Sequence, residues 1–405
     1  MTDNPVVLIV IIVAVVAAIA LIVWGILRWR YVKSLREKGW EFITSPSITI
    51  AHGLNCPPFG VGLGRAVDDA VRGQVDGVDF TVFEYKYRGF KENRVTVVEI
   101  PWALDEFQYS EQGKLEGVRG FGPVEMGPGK AHATSEEWMQ TVQSVIGPVL
   151  PQVAGSGDTQ FAIDGNHVVL LNTPPKPDEM EAHIRRAVAL ARALSAPSLE
   201  QYARPMPKQQ LGFHGTDWLY EVQNDSALDY VQHTRGGFDH KAVDVISGPN
   251  DGLAFIALHH KWKTREQYTD SEGRTKTRIK NHDEYLMEVN VPFPFSPISF
   301  NAGWFSGGEK RQFESITFDK MFAVRSAHPK FAHDVVHPRT MQWMEQRGRV
   351  DLSIEDGRVR WETHSLNTAN LAWRLDWTHG FFGRIPEFVW KDLGVNPPPR
   401  FRHVD

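Results

Sequence analysis

From Val6 to Leu27 the chain runs for twenty-two residues, VVLIVIIVAVVAAIALIVWGIL, without a charge, and Arg28, Arg30, Lys33, Arg36 and Lys38 follow at once. At a rise of 1.5 Å per residue such a helix spans roughly the 30 Å hydrocarbon core of a bilayer, where backbone groups can pair only within their own helix. The stretch reads as a transmembrane helix. A cleaved secretory signal would need a basic leader, a shorter apolar core and small residues at a cleavage site. Here Thr2-Asp3-Asn4-Pro5 precedes the run, and Trp24 and Trp29 close it among arginines, as interfacial anchors do. An uncleaved signal anchor is expected, with Val6, Trp24, Leu27, Arg28, Trp29, Arg30, Lys33 and Arg36 as its membrane-anchoring residues. Positive charge lies on the C-terminal flank. The N-terminus (residues 1–5) is therefore expected outside, and everything beyond the basic juxtamembrane segment 28–39 in the cytoplasm of a plasma membrane.

One cysteine, Cys56, in 405 residues excludes an intrachain disulfide framework and suits a reducing compartment. Removing the five basic and two acidic residues of positions 1–39 from the totals of 44 and 49 leaves 39 basic against 47 acidic. A mildly acidic body argues against nucleic acid as a partner, because phosphate recognition needs a cationic excess. Its length suits two domains.

A repeated grammar supports that count. Val71, Gly73, Asp76-Gly77, Phe80-Thr81-Val82-Phe83 and Tyr85-Lys86-Tyr87 match Ile246, Gly248, Asp251-Gly252, Phe255-Ile256-Ala257-Leu258 and His260-Lys261-Trp262 at a constant offset of 175. Each Asp-Gly followed by alternating apolar residues predicts a hairpin. The match continues with Val97 to Pro101 against Leu286 to Val289, and with Ile163-Asp164-Gly165 against Glu355-Asp356-Gly357. The added residues are expected in turns. Ordered matches of this kind imply an internal duplication.

Each copy is expected to contain helices. Asp178 with Glu181 predicts an N-terminal cap, and Met180, Ile184, Ala187, Val188, Ala191 and Leu194 then share one face. Asn367 stands before Leu371, Trp373, Leu375 and Trp377, with a stop at Gly380 or Gly383. Shorter helices are expected after Thr134, boxed with Glu137, and from Phe331 to Met344. The Pro-containing stretch 196–210 reads as a linker between repeat 1 (40–195) and repeat 2 (211–394), and residues 395–405 as an extended Pro-rich tail. The expected fold class is α+β: an N-terminal transmembrane helix (6–27), then two related domains, each an antiparallel sheet covered by helices.

Gly39-Trp40-Glu41-Phe42, Pro58-Phe59-Gly60, Gly64-Arg65 and the run from Gly73 to Tyr87 resemble the first half of a family of uncharacterised single-pass membrane proteins of high-GC Gram-positive bacteria with a duplicated soluble domain. Phe318 through Phe322-Ala323-Val324, Phe331-Ala332, Val335-Val336, Pro338-Arg339, Met341 and Trp343 resemble its second half. The resemblance implies no activity and no site residues.

No catalytic motif is present. His333 and His337 stand at i, i+4 near His328, but Pro338 disfavours helix at His337, so no metal centre is expected there. His259 and His260 are neighbours on a predicted strand and should face opposite ways. The glycines at 60, 62 and 64 and the stretch ending at Lys130 miss the phosphate-binding fingerprints. Cys56 has no evident base beside it, and Asp68-Asp69 and Glu136-Glu137 are adjacent rather than convergent. The insertion 261–280 is locally basic, which makes Lys261, Lys263, Arg274, Lys276, Arg278 and Lys280 candidate contacts for anionic head groups, against a solvated hairpin. No cofactor is called for. The expected function is a membrane-anchored, cytoplasm-facing binding or scaffolding protein, with the lipid bilayer and other membrane proteins or anionic lipid as partners. The alternatives are a carrier of a lipid or small apolar ligand, for which 13 Trp and 23 Phe supply aromatic material, and an enzyme whose site assembles only in the fold.

Overall fold

The computed structural model describes residues 5–89, 93–114, 120–302 and 308–396, the side chains of 5–8 excepted. The protein is α+β with antiparallel sheets and one apolar N-terminal helix. It divides into two units, residues 1–215 and 216–405.

Helix α1 (Pro5–Glu37) does not stop at the end of the apolar run but carries the basic segment as further turns. From Ile9 onward it is long and apolar enough to cross a membrane, and its apolar side chains are exposed. Its last turns dock on unit 1. Leu35 is fully buried, and Gly39, at φ 75°, turns the chain so that the Trp40 N–H reaches the Leu35 carbonyl at 3.0 Å. The Arg28 guanidinium grips Asp69 at 2.6 and 2.7 Å, and Lys38 bridges Asp178 and Glu181 at 2.6 and 2.7 Å. Leu35→Ala removes buried volume at this joint and should cost about 3 kcal/mol. Trypsin cleavage at Lys33, Arg36 and Lys38 should then accelerate, whereas unchanged cleavage would mean the joint does not depend on Leu35.

Unit 1 holds β1 (Glu41–Ile43), β2 (Ala66–Val75), β3 (Val78–Lys86), β4 (Asn93–Ser110), β5 (Phe121–Met126), β6 (Gly129–Ala133), α2 (Glu136–Ile146), α3 (Leu150–Val153), β7 (Gln160–Leu170), α4 (Pro177–Leu194) and β8 (Leu211–Gly212). The sheet order is β1-β2-β3-β4-β6-β5, with β7 also on β4. Asp76 and Gly77 both take positive φ, the conformation of a type I′ turn, which matches the twist of β2 and β3. All six expected apolar residues of α4 are buried, and so are His183 and Leu190. The caps differ from expectation. Ser135, not Thr134, caps α2 by accepting the Trp138 N–H, and α4 starts on Pro177, leaving Glu181 free to bind Lys38 and Arg185. The stretch read as a linker packs on unit 1: Pro197–Tyr202 is a 3-10 helix, and Arg204 pairs with Asp105 at 2.6 Å.

Unit 2 holds β9 (Leu219–Gln223), β10 (Phe238–Asn250), β11 (Leu253–Thr269), β12 (Thr275–Asn290), β13 (Ile298–Phe300), β14 (Glu309–Lys310), α5 (Ile316–Met321), β15 (Val324–Ser326), α6 (Pro329–Val335), α7 (Pro338–Arg347), β16 (Leu352–Glu355), β17 (Arg358–Thr363), α8 (Thr368–Phe382) and α9 (Glu387–Asp392). Its strands run β9-β10-β11-β12-β17-β16-β13-β15-β14. Asp251-Gly252 turns β10 into β11, Asn367 caps α8 through the Asn370 N–H, and Gly383 ends it. The helix expected over 331–344 is two helices, because His337 before Pro338 is extended. The added residues expected in a turn instead lengthen β11 and β12, which stay paired from Phe255–Val289 out to Thr269–Thr275. Asp164-Gly165 and Asp356-Gly357 also differ: the first lies inside β7 and the second is the β16–β17 turn. Trp377, Phe381, Phe382 and Trp390 fill the core. The tail beyond Asn396 lies outside the described residues.

Candidate functional site

Of the expected anchor residues, Trp24, Leu27, Trp29, Arg30, Lys33 and Arg36 are exposed along α1, Arg28 is engaged with Asp69, and the Val6 side chain lies outside the described residues. The basic hairpin exists, but its charges are largely matched. Lys263 meets Asp239 at 2.6 Å, Arg274 meets Glu272 at 2.9 Å, and Lys276 meets Asp270 at 2.8 Å. Arg278 and Lys280 share Glu266 at 3.1 and 3.2 Å, while Lys261 is exposed. This is an alternating, solvated charge array. Of the histidines near α6, His337 binds the Arg384 carbonyl at 3.0 Å and His333 lies 4.8 Å from the Phe313 ring centroid, so the two have separate partners.

Folding assembles two clusters that no local spacing announces. The first is in unit 1, with Cys56 and Asp164 buried and Glu106 and His214 partly so. The Asn55 and Cys56 N–H groups donate to one oxygen of Asp164 on β7 at 2.6 and 2.7 Å. Glu106 on β4 accepts from Gln108 at 2.6 Å and contacts His214 Nε2 at 2.6 Å. The His214 N–H also reaches the Gly60 carbonyl at 2.8 Å. Gly60, at φ 62°, makes that approach feasible, since a Cβ there would lie 2.2 Å from the Asn55 carbonyl oxygen. Ligand atoms of Cys56, Glu106 and His214 fall within 4.8 Å of one another. The site thus supplies the neighbours that the sequence around Cys56 lacks, but their electrostatics oppose a nucleophile. Burial, then the Asp164 and Glu106 carboxylates, push the thiol well above its ordinary pKa. Burial likewise lifts Asp164 to about 6, against its two N–H donors. Burial also opposes ionisation of Glu106, yet the His214 contact and the Gln108 bond outweigh it and hold its carboxyl below the usual range.

The second cluster is in unit 2. His259 and His260 do face opposite ways. His259 stacks on Tyr285 and contacts Asp283 at 3.0 Å, whereas His260 Nδ1 meets Glu284 at 2.7 Å and His260 Nε2 meets His240 Nδ1 at 2.9 Å. His233 packs edge-on to His260, with ring centroids 4.7 Å apart. The three histidines offer ligand atoms within 4.8 Å of one another. Trp262 stacks on His260 at 4.8 Å and on His282 at 5.3 Å, fixing the ring planes. Burial lowers the pKa of His260 below its ordinary value, partly countered by Glu284. The loop carrying His233 is tied down by carboxylates of β12: Glu284 accepts the Thr234 N–H at 2.9 Å and its hydroxyl at 3.0 Å, and Glu288 accepts the Gln232 N–H at 2.8 Å. Beside this cluster opens a groove of about 650 Å³, with His233, Thr234, Glu284, Glu288, Arg360 and Trp361 in its walls.

His233 and His240 escape a reading of spacing, because H-x6-H-x19-H matches no familiar ligand pattern. One signal existed. The Asp251-Gly252 turn folds β10 onto β11, and the pairs Lys241–Lys261 and Ala242–His260 then place His240 diagonally from His260.

No protein-family model and no curated protein matches the chain. Among solved structures, the chain is similar to the crystal structure of the mycobacterial trehalose monomycolate transport factor A, at 12% identity over 44% of this chain and 97% of that one, with a TM-score of 0.31. A score that low carries neither fold nor function from one chain to the other.

Proposed function

We propose that this chain is a single-pass plasma-membrane protein, N-terminus outside and body cytoplasmic, that acts as a binding or scaffolding module at the inner face. It fits the family of single-pass proteins that its sequence resembles. The observation that carries the reading is the joint between α1 and unit 1: with Leu35 buried and Arg28 and Lys38 both salt-bridged to the body, the unit is held against the bilayer without a flexible tether. Such a joint suits a protein that presents a surface at fixed height. The basic flank supports the inward orientation.

We read the two units as products of duplication. The order β1-β2-β3-β4-β7 has its counterpart in β9-β10-β11-β12-β17, both second hairpins turn on Asp-Gly, and α4 and α8 follow the last strand of each set. A binding role is the reading that the anchor and the paired units support. The groove of unit 2 sets carboxylates and histidines beside Tyr285, Met287 and Trp361, so its walls offer polar and apolar contacts alike.

Orientation is testable with a membrane-impermeant maleimide on intact cells, since buried Cys56 stays silent in the folded protein. Thr2→Cys should label from outside and Ser271→Cys only after permeabilisation; the reverse pattern would overturn the topology. Crosslinking in native membranes should then recover a reproducible set of membrane partners, and a lack of any would count against the scaffold role.

A further inference from the structure

We propose that His233, His240 and His260 form a binding site for a first-row divalent metal ion of the zinc type, seated at the edge of the unit 2 groove. The proposal is independent of the membrane topology. Three features carry it.

The first is donor convergence. Imidazole nitrogens of all three residues lie within 4.8 Å of one another, and His240 Nδ1 and His260 Nε2 are 2.9 Å apart. Two nitrogens bound tetrahedrally at about 2.0–2.1 Å from zinc stand about 3.3 Å apart, so a few tenths of an ångström of separation would admit the ion. Three histidines in one place carry no mutual charge repulsion while neutral, and imidazole suits zinc, cobalt, nickel or copper rather than magnesium or calcium.

The second is that, in His260 and His233, the nitrogens pointing away from the centre are already occupied as metal-binding histidines require, while the proton His240 Nδ1 shares with His260 Nε2 would move to His240 Nε2 when the ion enters. His260 Nδ1 meets the Glu284 carboxylate at 2.7 Å and so donates to it, which leaves a lone pair on Nε2. The His233 Nδ1 faces the Thr234 carbonyl at 2.8 Å, and a carbonyl can only accept, so Nδ1 carries the proton and Nε2 is the available donor. A carboxylate or backbone carbonyl behind the ring fixes the tautomer and raises ligand basicity. Glu284 is itself held by the Thr234 N–H and hydroxyl. The support therefore extends two layers outward, and the Trp262 ring holds the His260 plane.

The third is access. His233 and Glu284 also belong to the groove wall. Three protein ligands leave a fourth position, and here it would face an open groove of about 650 Å³, as in sites that exchange a water or an anionic ligand at the metal. The Cys56 cluster fits an ion less well, since Glu106 is already committed to His214 and Gln108.

The test uses the full chain in detergent, stripped with a chelator and titrated with zinc or cobalt. One ion per chain should bind against a competing chromophoric chelator. Cobalt should give visible ligand-field bands without the near-ultraviolet charge-transfer band of a thiolate ligand. His233→Ala and His240→Ala should each weaken binding by at least the roughly 10–100-fold that loss of an outer-shell partner costs, and Glu284→Gln by about tenfold. His240→Gln, which keeps a polar partner for His260 but ligates poorly, guards against a folding artefact, with circular dichroism confirming the fold. Retention of no metal would overturn the proposal. So would binding unaffected by His233→Ala and His240→Gln, or a thiolate band lost in Cys56→Ser, which would place the ion in unit 1.

Discussion

Asp164→Asn will remove a fall in stability that the wild-type chain shows between about pH 4 and pH 6. Asp164 is buried and accepts the Asn55 and Cys56 N–H groups, and burial lifts its carboxyl from an ordinary 3.8 to about 6. The folded state then binds more protons than the unfolded state through that window. A carboxyl raised in the fold contributes stability that is fully present below the unfolded pKa and lost as pH rises through the folded one. At 1.36 kcal/mol per unit over two units, the loss is about 3 kcal/mol. The difference in stability between wild type and Asp164→Asn, taken from denaturant unfolding at several pH values, should shift by about that amount in favour of the variant between pH 4 and pH 7. A pH-independent difference would refute the assignment. Asp164→Ala behaves differently, because the buried Cys56 N–H and the part-buried Asn55 N–H lose their acceptor, at a cost of about 1–3 kcal/mol for the buried one and less for the other. Amide exchange at Asn55 and Cys56 should then accelerate at every pH.

The second large effect is expected at Glu288. Its side chain is 5% exposed and accepts Arg358 at 2.8 Å, Arg360 at 3.2 Å and the Gln232 N–H at 2.8 Å. Glu288→Ala leaves two guanidinium groups and a backbone donor without that acceptor. Breaking one side of a buried pair costs about 3–5 kcal/mol, and the lower end applies because Arg358 reaches solvent and Arg360 keeps Glu355 at 2.5 Å. Unfolding of unit 2 should shift accordingly. Glu288→Gln keeps one acceptor oxygen and should lose less. Because Gln232 immediately precedes His233, exchange of residues 232–234 should rise in Glu288→Ala even where the unit stays folded, and a shift in stability without it would mean that Glu288 does not hold this segment.

These two carboxylates act at long range, and that is where the sequence stops being informative. Features set by near neighbours were legible: the apolar run of α1, the Asp-Gly hairpins at 76–77 and 251–252, the buried face of α4 and the Asn367 cap. Each follows from helical or strand periodicity, or from the backbone preference of one or two residues. Small errors also had local causes. Thr134 and Ser135 are both good caps, and in the fold it is Ser135 that accepts the Trp138 N–H and serves α2.

The sites were a different matter. Cys56 meets His214 and Glu106 only because β4, β7 and the segment ending unit 1 converge, and His240 meets His260 only through a hairpin register shifted by irregularities at Phe238–Lys241 and Val243–Ile246. A strand's side chains alternate faces with period two, so one inserted residue decides whether two histidines share a face. By itself the sequence determined an apolar helix, an acidic body nearly free of cysteine, and the Asp-Gly turns at 76–77 and 251–252, because those depend on residues adjacent in the chain. Which histidines and carboxylates stand within bonding distance was decided only by the tertiary structure, because register and burial depend on contacts between residues far apart in sequence.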